Sequence, residues 1–98
     1  MGKPIDVEVG RALRRARLGN GFTLRQIGER SGGTFKPTAV AGYERAERSI
    51  SLERFCGLCA LYGLAPEHVL AEIMEALDRG RDTVVDLTKI EQPDRTGV

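Results

Sequence analysis

Tryptophan is missing from this 98-residue chain, and the other aromatics are scarce: three Phe and two Tyr. Aromatic and β-branched runs are few, while Ala, Leu, Arg and Glu are common, a balance that favours helices over a strand-built core. There is one His and there are only two Cys. Cys and His alone therefore do not complete a four-ligand zinc site, since two thiols and the single His68, on another helix, are three. No apolar stretch is long enough to span a bilayer, no signal-peptide core is visible and no tract is low in complexity. These features lead us to expect a soluble cytoplasmic protein with no membrane partner. Paired catalytic carboxylates, a nucleophile constellation and a phosphate loop are also missing, so an enzyme is not expected and neither is a cofactor.

What is present is a single domain's worth of residues. That length supports one modest core, with a total stability of roughly 5–10 kcal/mol. The formal net charge of +1 hides an asymmetry. Residues 1–48 hold ten Lys/Arg against five Asp/Glu, whereas residues 49–98 hold five against nine. A basic half beside an acidic half suits a molecule with one face for a polyanion, although solvated surface scatter gives the same count.

Five helices follow from periodicity and punctuation. Residues 1–5 read as a flexible tail and Asp6 as an N-cap. Val9, Leu13 and Ala16 then form an apolar stripe, closed by Gly19-Asn20-Gly21. Thr23 with Gln26 reads as a capping box opening a second helix over residues 24–31, with Leu24 and Ile27 inward and Gly32-Gly33 after it. Gly28 costs about 1 kcal/mol against Ala in a helix interior, so a closely crossing helix is expected there. Pro37 suits the first position of helix three, which runs to Arg45 with Val40 and Tyr43 inward and Thr38, Ala41, Gly42 and Arg45 outward. Ser51 caps a fourth helix with Leu52, Phe55, Leu58, Cys59 and Tyr62 on its core side, and Gly63 ends it. Pro66 opens a fifth, with Val69, Leu70, Ile73 and Leu77 inward and Gly80 beyond its end. Residues 80–98 then form a C-terminal arm, in which Val84, Val85 and Leu87 suggest a short strand or a docking segment.

Several of these residues form a familiar pattern: the run from Val9 through Arg17, then Gly21-Phe22-Thr23-Leu24-Arg25-Gln26-Ile27-Gly28, Tyr43-Glu44-Arg45, Ser51-Leu52, and Leu61-Tyr62-Gly63-Leu64-Ala65-Pro66. The chain resembles the lambda-repressor/Cro-like (XRE) helix-turn-helix family over roughly residues 7–73. The turn at residues 32–37 looks about two residues longer than in many members, which is similar to an actinobacterial developmental regulator within the family. The cyclic-dinucleotide domain that follows in that regulator is not expected in this chain, so that ligand is not carried over.

The resemblance implies a compact all-α, five-helix DNA-binding domain over residues 6–79, with helix three in the major groove. On that frame Lys36 is expected to donate to guanine O6 or N7, or to a phosphate. The methyls of Thr38 and Ala41 would meet a thymine methyl, Gly42 would permit close approach, and Arg45 would be a second specific donor. Arg25 and Arg48 are expected as phosphate clamps. The family pattern also implies an ion pair between Arg17 and Glu44 that fixes the angle of helix three.

The expected function is sequence-specific binding of double-stranded DNA and transcriptional regulation as a homodimer, paired through helix five and the arm. The alternatives are an antitoxin-type autorepressor and an adaptor that docks on another protein. Cys56-Gly57-Leu58-Cys59 has C-x-x-C spacing, but it reads as two reduced thiols packed in a helix rather than as a redox or metal site. His68 reads as a surface residue.

Overall fold

The chain is described as a computed structural model covering residues 2–81. The segment expected as a strand or docking arm, residues 83–87, lies outside the described residues. Within them the elements are α1 (Pro4–Gly19), α2 (Leu24–Arg30), α3 (Pro37–Glu44), α4 (Leu52–Leu61) and α5 (Pro66–Arg81). All five are helices, so the described fold is all-α as the sequence implied.

The N-termini are fixed by local hydrogen bonds. Thr23 Oγ1 accepts from the Gln26 N–H at 3.1 Å and Gln26 Oε1 accepts from the Thr23 N–H at 2.8 Å, the expected reciprocal box. Ser51 Oγ accepts from the Arg54 N–H and caps α4. α1 differs from expectation. It starts at Pro4, inside the stretch read as a tail, and Asp6 sits in its first turn, where the carboxylate accepts the Lys3 N–H at 3.2 Å. Asp6 still satisfies an orphan donor of the helix start, but from three positions further along.

The C-termini of α1, α2, α3 and α4 share one device. In each, a residue at positive φ lets the next N–H turn back to a carbonyl five residues earlier: Phe22 to Arg17, Gly33 to Gly28, Glu47 to Gly42, and Leu64 to Cys59. Glycine occupies the left-handed position at Gly21, Gly32 and Gly63, whereas α3 uses Ala46 at φ 61°. Gly80, expected after the end of α5, lies within its last turn.

The core is one cluster assembled from all five helices and the turn before α3, with Leu13, Ile27, Val40, Leu58, Cys59 and Ile73 at its centre. α1 packs against α3 and α5, α2 against α3, and α4 against α5. Two apolar residues expected inward face solvent instead. Leu52, in the first turn of α4, is 72% exposed, and Leu70 on α5 is 39% exposed. Close approach explains the glycines better than flexibility does. A Cβ on Gly10 would lie 2.6 Å from the backbone carbonyl oxygens of Tyr43 and Glu44, so α1 crosses the end of α3 backbone to backbone. A Cβ on Gly28 would lie 3.2 Å from Pro37 Cδ, which is the close crossing its presence inside α2 suggested.

Candidate nucleic-acid interface

The position of α3 is set by contacts at both of its ends. At its C-terminus, Arg17 of α1 forms a bidentate pair with Glu44: Nε to Oε2 at 2.7 Å and Nη2 to Oε1 at 2.9 Å. Arg17 Nη1 donates to the Phe22 carbonyl at 2.9 Å. The side chains of this pair are only 10% and 6% exposed, so the structure brings together the two residues expected to meet. The hydrogen bonds that the guanidinium donates to the Glu44 carboxylate outweigh burial and raise it above its ordinary value, keeping it charged. Tyr62 lies close enough to feel both charges. Burial, and then the Glu44 carboxylate, push its phenol up to about 12, and its hydroxyl has no hydrogen-bond partner among the described residues.

At the N-terminal end, the turn before α3 is latched to α4 by a residue that sequence reasoning overlooked. Arg54 donates from Nε to Tyr43 Oη at 3.0 Å and from Nη2 to the Thr34 carbonyl at 3.1 Å. Its guanidinium lies 4.7 Å from the centre of the Phe35 ring. Phe35 in turn fills the space left by Gly57, where a Cβ would stand 3.0 Å from its ring edge. The sequence signal was an aromatic in a turn whose helix-four partner face carries a glycine. Ser31 Oγ closes the turn by accepting the Phe35 N–H at 3.0 Å. The longer turn between α2 and α3 is therefore a packed element that aims the start of α3.

Lys36, at the N-cap of α3, Thr38 in its first turn and Arg45 at its C-cap are exposed. Arg25 on α2 is exposed and lies 3.4 Å from Glu29, while Arg45 lies 4.0 Å from Glu47. Both are solvent-screened pairs, worth about 0–1 kcal/mol, that an incoming phosphate or base can outcompete. Arg48, in the loop after α3, is also exposed.

The expectation for Ala41 and Gly42 needs correction, because both are buried. α3 is only eight residues long, and the chain turns back over it: the N–H groups of Glu47 and Arg48 both donate to the Gly42 carbonyl, at 2.9 and 3.3 Å. Gly42 is covered by the Arg48 side chain, whose Cδ lies 2.7 Å from where a Cβ would stand. The open part of α3 is thus its first turn and its C-cap.

The remaining candidates lie apart from this face. Cys56 is half-buried and Cys59 buried, both are free thiols, and burial pushes Cys59 up to about 11. That shift makes it a poor nucleophile at neutral pH. Among the described residues no group of three or more His, Cys, Asp and Glu stands ready for a metal, and no helix is long and apolar enough to cross a membrane.

Residues 8–73 match a family model described as a helix-turn-helix domain. No curated protein matches the chain. Among solved structures, the crystal structure of the DNA-binding domain of BldD is similar at a TM-score of 0.65 and 29% identity, covering 70% of this chain and 97% of that one. The S. venezulae BldD DNA-binding domain gives a TM-score of 0.65 at 28% identity, over 68% of this chain and 97% of that one. The fold, the matched span and these relatives agree with the resemblance seen in the residues: the chain belongs to the helix-turn-helix domain family, of the lambda-repressor-like kind.

Proposed function

We propose that this chain binds double-stranded DNA in a sequence-specific manner and regulates transcription. A solved structure similar to it is a DNA-binding domain. The observation that carries the proposal is the rigid mounting of α3: the buried Arg17–Glu44 pair holds one end, the Arg54 latch holds the other, and Lys36, Thr38 and Arg45 stay open to solvent. In this reading α3 enters the major groove, Lys36 and Arg45 donate to base edges or flanking phosphates, and Arg25 meets the backbone.

A module of this size reads few base pairs, so a homodimer on two half-sites about 34 Å apart supplies the remaining affinity. Leu70 and Met74, four residues apart on α5 and 39% and 43% exposed, are the apolar surface on which such pairing rests.

Selection from a pool of random duplexes tests the proposal. Enrichment of a two-fold symmetric sequence supports it. Failure to enrich any sequence at low salt overturns it.

A further inference from the structure

In the proposed DNA-reading mode, the outward stripe of α3 has a gap at its centre. Val40 faces the core, and Gly42 stands roughly 200° around the helix from it, on the outward side beside Thr38 and Arg45. Neither Ala41 nor Gly42 carries a hydrogen-bonding side chain, so the middle of the helix has no donor or acceptor of its own for a base edge.

That gap is occupied. The Arg48 stem lies over Gly42, with Cδ, Cγ and Cβ at 2.7, 3.1 and 3.7 Å from the position of the missing Cβ. This placement is built from both sides. The Arg48 N–H donates to the Gly42 carbonyl, and the next residue, Ser49, donates from Oγ to both Asp6 carboxylate oxygens at 3.0 Å. The loop is therefore pinned to α3 behind Arg48 and to α1 ahead of it. Arg48 is nonetheless exposed, and among the described residues no carboxylate forms a salt bridge with its guanidinium.

We propose that Arg48 is a specificity residue. Laid across Gly42, it supplies the base-reading side chain that the centre of α3 lacks, and it presents its guanidinium to O6 and N7 of a guanine in the major groove rather than to a phosphate. The chemistry suits the task, because the planar fork of donors matches those two acceptors bidentately, the commonest specific contact to guanine. Gly42 serves as the seat, since any larger residue displaces the arginine stem. The idea rests on the DNA-reading function proposed above.

The test is the same random-duplex selection, run with the wild-type protein, Arg48→Ala, Arg48→Lys and Gly42→Ala, each checked for an unchanged helical spectrum. The expected result is a symmetric wild-type motif whose preference for guanine is lost at one position per half-site in Arg48→Ala. The other positions keep theirs, and discrimination at the lost position falls about tenfold or more. Lysine, a point charge without the planar fork, restores affinity but only part of the guanine preference, and Gly42→Ala weakens the same position. If Arg48→Ala binds every duplex more weakly with the motif intact and a salt slope lower by about one, Arg48 is a phosphate clamp and the inference fails while the DNA function stands. If the wild-type protein enriches no sequence, both fall together.

Discussion

Replacing Glu44 with Ala removes the carboxylate that meets two Arg17 nitrogens at 2.7 and 2.9 Å and leaves that guanidinium with only the Phe22 carbonyl. Both side chains are nearly closed to solvent, so water cannot easily take the missing place. Removing one partner of such a pair costs about 3–5 kcal/mol, and the surviving carbonyl bond sets the expectation near ~3 kcal/mol. For a domain of this size each kcal/mol moves the thermal midpoint by about 4–8 °C, so the melt shifts down by roughly 12–24 °C. Circular dichroism of Glu44→Ala, Arg17→Met and the double variant Arg17→Met/Glu44→Ala measures it. The double variant should recover much of the loss, because replacing both partners leaves no uncompensated buried charge. A Glu44→Ala cost below about 1 kcal/mol, or a double variant whose loss equals the two singles added together, would show that the pair behaves like a surface bridge and that α3 is held by packing alone.

Further consequences concern packing, pH and thiol chemistry. Gly10→Ala places a methyl 2.6 Å from two backbone carbonyls of α3, so a loss of about 2–3 kcal/mol is expected in urea titration, far more than an exposed-site change such as Leu52→Ser. Burial raises Tyr62 from 10.0 to about 12 and Cys59 from 9.0 to about 11. The folded state therefore holds these protons more tightly than the unfolded chain. Stability is fully present below about pH 9 and falls as pH rises through the window from 9 to 12, with Tyr62→Phe removing the upper part of the fall. In native protein at neutral pH a thiol reagent should label Cys56 faster than Cys59, with Cys59 reacting only at the rate of opening. Equal fast labelling of both would contradict the packed-thiol account.

The helices and their stops were legible in the sequence because they are written in local chemistry. Thr23 with Gln26, Ser51, Pro37, Pro66 and the glycines at positions 21, 32 and 63 each act within a few residues of themselves. The Arg17–Glu44 pair, 27 residues apart, came from family resemblance and not from spacing. Periodicity misplaced Leu52 and Leu70, since a stripe says which residues share a face but not where the neighbouring helix stops covering it. On α3 the wheel did put Gly42 opposite Val40. What it had no means of showing was that the loop after the helix folds back, so that Arg48, assigned to the phosphate backbone, lies across Gly42. Arg54 was passed over for the same reason. Its partners Thr34, Phe35 and Tyr43 lie on other elements, and the only mark within α4 is the indirect one of Gly57, which makes room for Phe35.

The most direct test of DNA reading by α3 is fluorescence anisotropy of the protein on its enriched duplex and on a scrambled duplex, across a salt series, for wild type, Lys36→Ala and Arg45→Ala. The account predicts tight binding to the enriched duplex alone, weakened by each substitution with no change in the melting midpoint. Equal, steeply salt-dependent binding to both duplexes, unaltered at Lys36 and Arg45, would contradict it and leave only a general affinity for phosphate.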